Sequence, residues 1–293
     1  MTQTSSRPQY FGPLTDSTRW DAVTLRDDDV IVVSPPKCGT TWMQTIMALL
    51  FSGDPQVVPE FSMNMPWIDI RVRDMAEVTQ RLDARPGRRS FKSHTPMDGL
   101  TVGDQGHWIC VFRHPLDAHF SFRKHVQNIP IRWFDDWYPA NDPRATFRHF
   151  LTGEPAGFDC DAMPLAHILP HYTAAKAMAD RPNVTLMHYA DMKRDLPGTF
   201  THLADVLGIS HPEAVMQQLI QAATFDNMKR NADRFAPSGG KGFFKSDADF
   251  FHRGTHGQWQ GQLTDDELAA YDAMMDAHLS PADRKWLEQG STA

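Results

Sequence analysis

The chain has 293 residues, room for one large domain or two ordinary ones, and its 41% hydrophobic and 22% charged residues are globular proportions that exclude a disordered or fibrous protein. A net charge of -7 excludes a general binder of nucleic acid or anionic membrane, which needs a net basic face, so any anionic ligand must be held by a local cluster. No apolar stretch approaches the roughly 18 residues that span a bilayer, Met1 to Gly12 is polar without a signal-peptide core, and Cys38, Cys110 and Cys160 are odd in number and widely spaced; the expectation is a cytoplasmic protein with neither a disulfide framework nor a zinc knuckle.

Val30 to Val33 is a β-branched run between Asp27-Asp28-Asp29 and Pro35-Pro36, the pattern of a strand buried on both faces. From Thr41 onward Trp42, Ile46, Leu49 and Leu50 share one helical face, which Met43 and Met47 widen. Arg85, Arg88 and Arg89 read as a solvated turn, followed by a short strand near Ser90 to Lys92 and further strands at Trp108 to Phe112 and Val184 to His188. Between Gln127 and Leu165, Pro130, Pro139, Pro143, Pro155 and Pro164 break every periodic run, so an irregular loop is expected, as it is from Ala236 to Ala248.

The stripe Phe200, Leu203, Ala204 and Leu207 stops at Gly208. Pro212 fits the first position of a following helix whose buried side is Val215, Met216, Leu219 and Ile220. Thr264 and Glu267 form a capping box, with Leu263 and Leu268 as a hydrophobic staple, opening a helix to about His278. The alternation of strands and helices, without a repeat or a linker, predicts an α/β fold in a single domain over residues 1–293.

The segment VIVVSPPKCGTTWMQTIMALLF, from Val30 to Phe51, runs a buried strand through a Pro/Gly loop into a helix. Backbone N–H groups at the helix start and the positive end of its dipole make this an anion site. Lys37 adds a full charge, Thr40 and Thr41 add hydroxyl donors, and Trp42 is placed to stack on a purine. The loop is not a Walker A motif, since Lys37 precedes the only glycine, Gly39, and no acidic residue ends a strand as a metal-dependent phosphoryl transferase requires.

PPKCGTTW resembles the 5'-phosphosulfate loop of the sulfotransferases that use 3'-phosphoadenosine 5'-phosphosulfate (PAPS), and other segments match that family in order. FRHPLDAHFSF is similar to its 3'-phosphate motif, with Arg113 and Ser121 in the matching positions, and FKSHTP to the segment that carries the catalytic histidine, here His94, with Lys92 two residues earlier. HYADMKRDLP matches the segment whose tyrosine, Tyr189, approaches the adenine, and ATFDNMKRN the one whose Phe225 and Met228 pack on it. FFHRGTHGQW is similar to the loop that closes over the 3'-phosphate, and the resemblance extends over about residues 12–279.

The resemblance implies one mostly parallel sheet flanked by helices, akin to nucleotide kinases, and in-line transfer of a sulfuryl group from PAPS to a hydroxyl or amine, leaving adenosine 3',5'-bisphosphate (PAP). Lys37 would stabilise the leaving oxygen, Ser121 would hold that lysine until acceptor is present, His94 would be the general base, and Lys92 would face the sulfuryl oxygens. Cofactor contacts would come from Lys37, Cys38, Gly39, Thr40, Thr41, Trp42, Arg113, Ser121, Tyr189, Phe225, Met228, His252, Arg253 and Gly254, with no metal. Cys38 stands where serine is common, placing an oxidisable thiol at the cofactor, and His252 where arginine is usual. The family's dimerisation motif is not recognisable in WQGQLTDDELAAYD, so monomer and homodimer both stay open.

The expected partner is a small or lipid-like acceptor. Met63, Met65, Pro66 and Trp67, with Trp133, Phe134, Trp137 and Tyr138, are candidates for its apolar wall or for plain core. A nucleotide kinase and a non-catalytic adenosine-nucleotide-binding protein on the same fold are the competing readings. The first lacks its Walker A loop here, and the second has no use for an acceptor base.

Overall fold

Val30–Val33 (β1) is buried at every position, which leaves no face for solvent and places it inside a sheet rather than at an edge. A computed structural model, which describes residues 7–130, 138–153, 161, 163–237, 239–251 and 254–291, sets it between Ser90–Ser93 (β2) and His107–Phe112 (β3), with Val184–His188 (β4) beyond β3. The order is β2-β1-β3-β4 and every pairing is parallel, so the expected α/β class and parallel sheet are found. Val33 lies level with both Ser93 and Cys110, so the loops leaving three strands open side by side at one edge. Order reverses on either side of β1, and ligands of open α/β sheets bind in that crevice.

Helices connect the strands and cover both faces. In chain order they are α1 (Thr40–Ser52), α2 (Phe61–Asn64), α3 (Met75–Ala84), α4 (Pro115–Gln127), α5 (Pro143–Thr152), α6 (Leu165–Lys176), α7 (Tyr189–Arg194) and α8 (Leu196–Leu207). They continue with α9 (Glu213–Ala222), α10 (Phe225–Arg230), α11 (Ala232–Phe235), α12 (Asp247–Phe250), α13 (Asp265–His278) and α14 (Pro281–Gln289). Val30 and Val32 point to one core with Ile109, Val111 and the apolar faces of α1 and α8, whereas Ile31 and Val33 join Trp108, Cys110, Phe112 and the residues of α4 to α6. The period-2 alternation of buried strands thus builds two cores, one per sheet face.

Three sequence expectations need correction. The Pro-rich stretch holds a helix, α5, because Pro143 sits in its first turn and the Asp142 carboxylate accepts from the Arg144 and Ala145 amides, a start signal rather than a break. Pro212 is the N-cap of α9 and not its first helical residue. Arg85, Arg88 and Arg89 are not a solvated turn: Arg89 is 1% exposed and pairs with the fully buried Asp29 at 2.6 Å, Arg88 lies over the Phe51 ring, and Arg85 donates to the Asn64 carbonyl. The capping box of Thr264 and Glu267 is formed, and Gly208 ends α8 with a left-handed φ of 61°.

Candidate active site

The loop between β1 and α1 is tight. Lys37 has φ 66°, unusual for a residue with a Cβ, and Gly39 has φ 109°, where an added Cβ would stand 3.0 Å from the Tyr189 ring. Gly39 offers no side-chain cap, so the first N–H groups of α1 are left for a ligand. Thr40 Oγ1 lies 2.5 Å from Ser34 Oγ, which commits one of the two threonine hydroxyls to the protein, while Thr41 lines the cavity in front of the loop.

That cavity, about 430 Å³, is lined by most of the sequence-predicted site: Lys37, Gly39, Thr40, Thr41, Trp42, Lys92, His94, Arg113, Ser121, Tyr189, Phe225, Met228 and Gly254. Arg113, at the end of β3, is buried with its guanidinium 4.6 Å from the Tyr189 ring centroid and donates to the Lys37 and Thr255 carbonyls at 3.3 and 3.1 Å. Its Nε is buried without a hydrogen-bond partner among the described residues, as a donor kept for an anion would be. Trp42 donates to the Ala223 carbonyl at 2.8 Å and meets Tyr189 edge-on, so α1 is tied to the end of α9 and packs against α7. Gly254 has φ 58°, and a Cβ there would overlap the Phe225 ring at 2.5 Å. His252 and Arg253 lie outside the described residues.

Two lysines face this space. Lys37 Nζ stands 4.2 Å from the Phe250 ring centroid, and burial, then Arg113 and Lys92, push its pKa down to about 7. Lys92 Nζ stands 4.2 Å from the Trp67 ring, and burial lowers its pKa to about 8 against an opposing pull from Asp69. His94 Nδ1 is 2.6 Å from the Ser34 carbonyl, which can only accept, so Nδ1 carries the proton and Nε2 keeps its lone pair. Burial, then the Lys92 charge, hold His94 well below the ordinary histidine pKa, so the ring is neutral with Nε2 unprotonated.

The side chains of Cys38 and Ser121 stand as follows, the Cys38 backbone N–H remaining at the loop. Cys38 does not line the cavity: its thiol belongs to the buried core, where desolvation raises its pKa to about 12, so no reactive thiolate sits at the ligand. Among the described residues no hydrogen bond joins Ser121 to Lys37, whose ammonium rests on Phe250 instead. Of the candidates for an apolar wall, Met65 and Trp67 line the cavity, Pro66 contributes its carbonyl to the Lys92 amide, and Tyr138 is core, packed edge-on to Phe122. Trp133, Phe134, Trp137 and the Met63 side chain lie outside the described residues.

Gln44, Arg73, His125, Phe243, Phe244 and Phe250, none of them assigned to the site from sequence, also line the cavity. His125 had a signal, since it lies four residues after Ser121 and so on the same face of α4. Burial, then the charges of Lys37 and Lys92, hold it well below the ordinary histidine pKa.

Residues 27–283 match the family described as the sulfotransferase domain. The chain belongs to the sulfotransferase family. It is 34% identical to a glycolipid sulfotransferase of Mycobacterium bovis (strain BCG / Pasteur 1173P2) over 312 residues, 98% of this chain and 95% of that one. It is 25% identical to an amine sulfotransferase of Oryctolagus cuniculus over 281 residues, 91% of this chain and 86% of that one. Among solved structures, mouse sulfotransferase SULT7A1 complexed with PAP superposes with a TM-score of 0.69 at 20% identity, covering 92% of this chain and 90% of that one. Retinol dehydratase in complex with androsterone and the inactive cofactor PAP superposes with a TM-score of 0.66, also at 20% identity, over 94% and 91%. The sulfotransferase identity agrees with the order of motifs along the chain. Among the described residues no helix is long and apolar enough to cross a membrane.

Proposed function

We propose that this sulfotransferase moves the sulfuryl group of PAPS to a hydroxyl of a lipid-like acceptor, with glycolipids as the first class to test. The observation that carries the reading is the convergence, in one cavity, of an anion loop with Lys37, a buried Arg113 with an orphaned Nε, and a histidine whose only free ring nitrogen is Nε2. The loop N–H groups, Lys37 and Arg113 suit the two phosphate positions of the donor, and Trp42, Tyr189, Phe225 and Met228 suit its adenine. The donor supplies an activated sulfur–oxygen bond. His94 Nε2 takes the proton of the acceptor hydroxyl as that oxygen bonds to sulfur; the bond from sulfur to the bridging oxygen breaks, and Lys37 meets the charge left on PAP. Lys92 faces the sulfuryl oxygens, and no proton or charge is left unaccounted for.

Met65, Trp67, Phe243 and Phe244 offer an apolar and aromatic wall beside His94, and the 34% identical glycolipid sulfotransferase points to the same acceptor chemistry. The test is transfer of labelled sulfate from PAPS to a panel of glycolipids, steroid alcohols, phenols and amines, with His94→Ala alongside. We expect transfer to glycolipid by the wild type, and a loss on the order of a hundredfold or more in His94→Ala with PAP binding retained. Transfer at the normal rate by His94→Ala removes the histidine from the mechanism, and ADP binding as tight as PAP removes the donor assignment.

A further inference from the structure

Pro66 to Ile70 is laid alongside β2: the Lys92 amide donates to the Pro66 carbonyl at 3.0 Å, and the Ile68 amide to the Lys92 carbonyl at 3.1 Å. This brings Asp69, which is 0% exposed and outside the cavity, behind the strand that carries Lys92 and His94. Its Oδ1 accepts from Trp20 Nε1 and from Ser93 Oγ at 3.0 Å. Its Oδ2 accepts from Trp67 Nε1 at 3.1 Å and from the His94 amide at 2.5 Å, with Ser93 Oγ also at 3.1 Å. Ser93 Oγ in turn accepts from the Thr95 amide at 3.0 Å, so its own proton is committed to Asp69.

Every partner is a donor. This set of donors fits a carboxylate, and burial leaves its pKa raised against the pull of the His94 amide, Trp20, Trp67 and Ser93. The charges felt around it are Lys92 and Arg19 on the positive side and Asp161 on the negative. Two of its donors, Trp67 and His94, line the cavity. Trp67 meets the His94 ring edge-on at 5.0 Å and lies under the Lys92 ammonium; Ser93 and His94 are consecutive at the end of β2.

We propose that Asp69 is a positioning residue for sulfuryl transfer: its buried carboxylate holds the His94 backbone and the Trp67 indole in one frame. The inference rests on the reading of His94 as base and Lys92 as the cation that meets the sulfuryl group. A misplacement of about 1 Å at a reacting group can cost on the order of a hundredfold in rate, which is the scale at stake. Asp69 touches none of the residues suited to the adenine or the 3'-phosphate, so its effect falls on kcat and not on PAP affinity.

Asp69→Asn keeps the shape, removes the charge and turns an NH2 group toward donors. In the full-length protein we expect kcat to fall roughly ten- to a hundredfold with the PAP Kd changed less than about twofold. The groups facing Lys92 are Asp69 from the strip beside β2, Arg73 a few residues on, His94 just after β2, Lys37 from the β1 loop and His125 from α4. Of these only Asp69 favours the ammonium, so the variant's alkaline limb of kcat/KM moves to lower pH. Ser93→Ala, which removes one donor and is milder for folding, should lower kcat in the same direction by less, with the limb nearly unmoved because the charge is kept. If Asp69→Asn does not fold, the kcat loss in Ser93→Ala decides: a wild-type rate there overturns the proposal. A folded Asp69→Asn with wild-type kcat and an unmoved limb overturns it as well, leaving a purely structural carboxylate. His94→Ala is run beside them: if it retains wild-type transfer, the reading of the site fails, whereas an inactive His94→Ala with a normal Asp69→Asn sinks only the inference about Asp69.

Discussion

Lys37 is a cation in a poor place for a cation, and that makes donor binding a proton-coupled event. Burial, then Arg113 and Lys92, bring it to about 7, so at pH 8 only about a tenth of the free protein carries this charge. A phosphate beside the ammonium favours the protonated form and raises that pKa. The sign follows: above pH 7 the neutral lysine must take up a proton when PAP binds, and below pH 6 it already has it. Uptake should approach roughly 0.9 proton at pH 8 and fall to roughly 0.1 at pH 6, with the PAP Kd about fivefold weaker at pH 8 than at pH 7. Calorimetric titration in buffers of different ionisation enthalpy reads the proton number directly. Lys37→Met keeps the stem over Phe250 and deletes the charge, so its uptake at pH 8 should drop to the smaller share left to Lys92, which titrates near 8. Binding at pH 8 with no buffer dependence, or with the same uptake in Lys37→Met, would refute the assignment of this lysine to the donor phosphates.

The remaining expectations concern charge and burial elsewhere. Arg113→Ala should weaken PAP by about 1.5–3 kcal/mol, the range of a hydrogen bond to a charged group, which is roughly ten- to a hundredfold in Kd; ADP, lacking a 3'-phosphate, should change far less, and equal losses would sink the 3'-phosphate role. Arg89→Ala leaves Asp29 buried and unpaired, so urea unfolding should show about 3–5 kcal/mol lost. PAP affinity of the folded fraction should stay as in the wild type, and a loss under about 1 kcal/mol would mean that the pair is solvated after all.

Strands, the β1–α1 loop and the order of motifs were legible because each is local. A β-branched run buried on both faces, a Pro/Gly loop and a helix start are all written within the stretch Val30 to Phe51, and β1 and α1 form there. Helix α5 was written locally too, in Asp142-Pro143, but was masked by counting prolines as breakers when one of them sits where a helix begins. Arg89 and Asp69 were not legible. Nothing in GRRSF shows that one arginine of three meets a carboxylate 60 residues away, and nothing in PWIDIRVRD shows that its first aspartate turns inward while Arg71 and Val72 stay at the surface. The same holds for the cavity wall: Gln44, His125 and Phe250 meet because of strand order and helix placement, which local patterns do not encode.

Parallel pairing also explains how the β1–α1 loop and His94 are held to one another. Val33 lies level with Ser93, and the Ser34 amide donates to the Ser93 carbonyl at 3.2 Å, so the pairing carries one residue further and sets Ser34 beside His94. Ser34 uses both of its remaining polar groups there: its carbonyl accepts from His94 Nδ1 at 2.6 Å, and its hydroxyl meets Thr40 at the start of α1 at 2.5 Å. His94 is then fixed at three points, with its amide on Asp69, its carbonyl accepting from His171 Nε2 at 2.8 Å, and Nδ1 on Ser34. Nε2 is the one polar atom of His94 with no protein hydrogen bond among the described residues, and it belongs to the cavity. A shift of the β1–α1 loop would therefore pass through Ser34 to the ring, so this small residue ties the orientation of the His94 imidazole to the geometry of that loop.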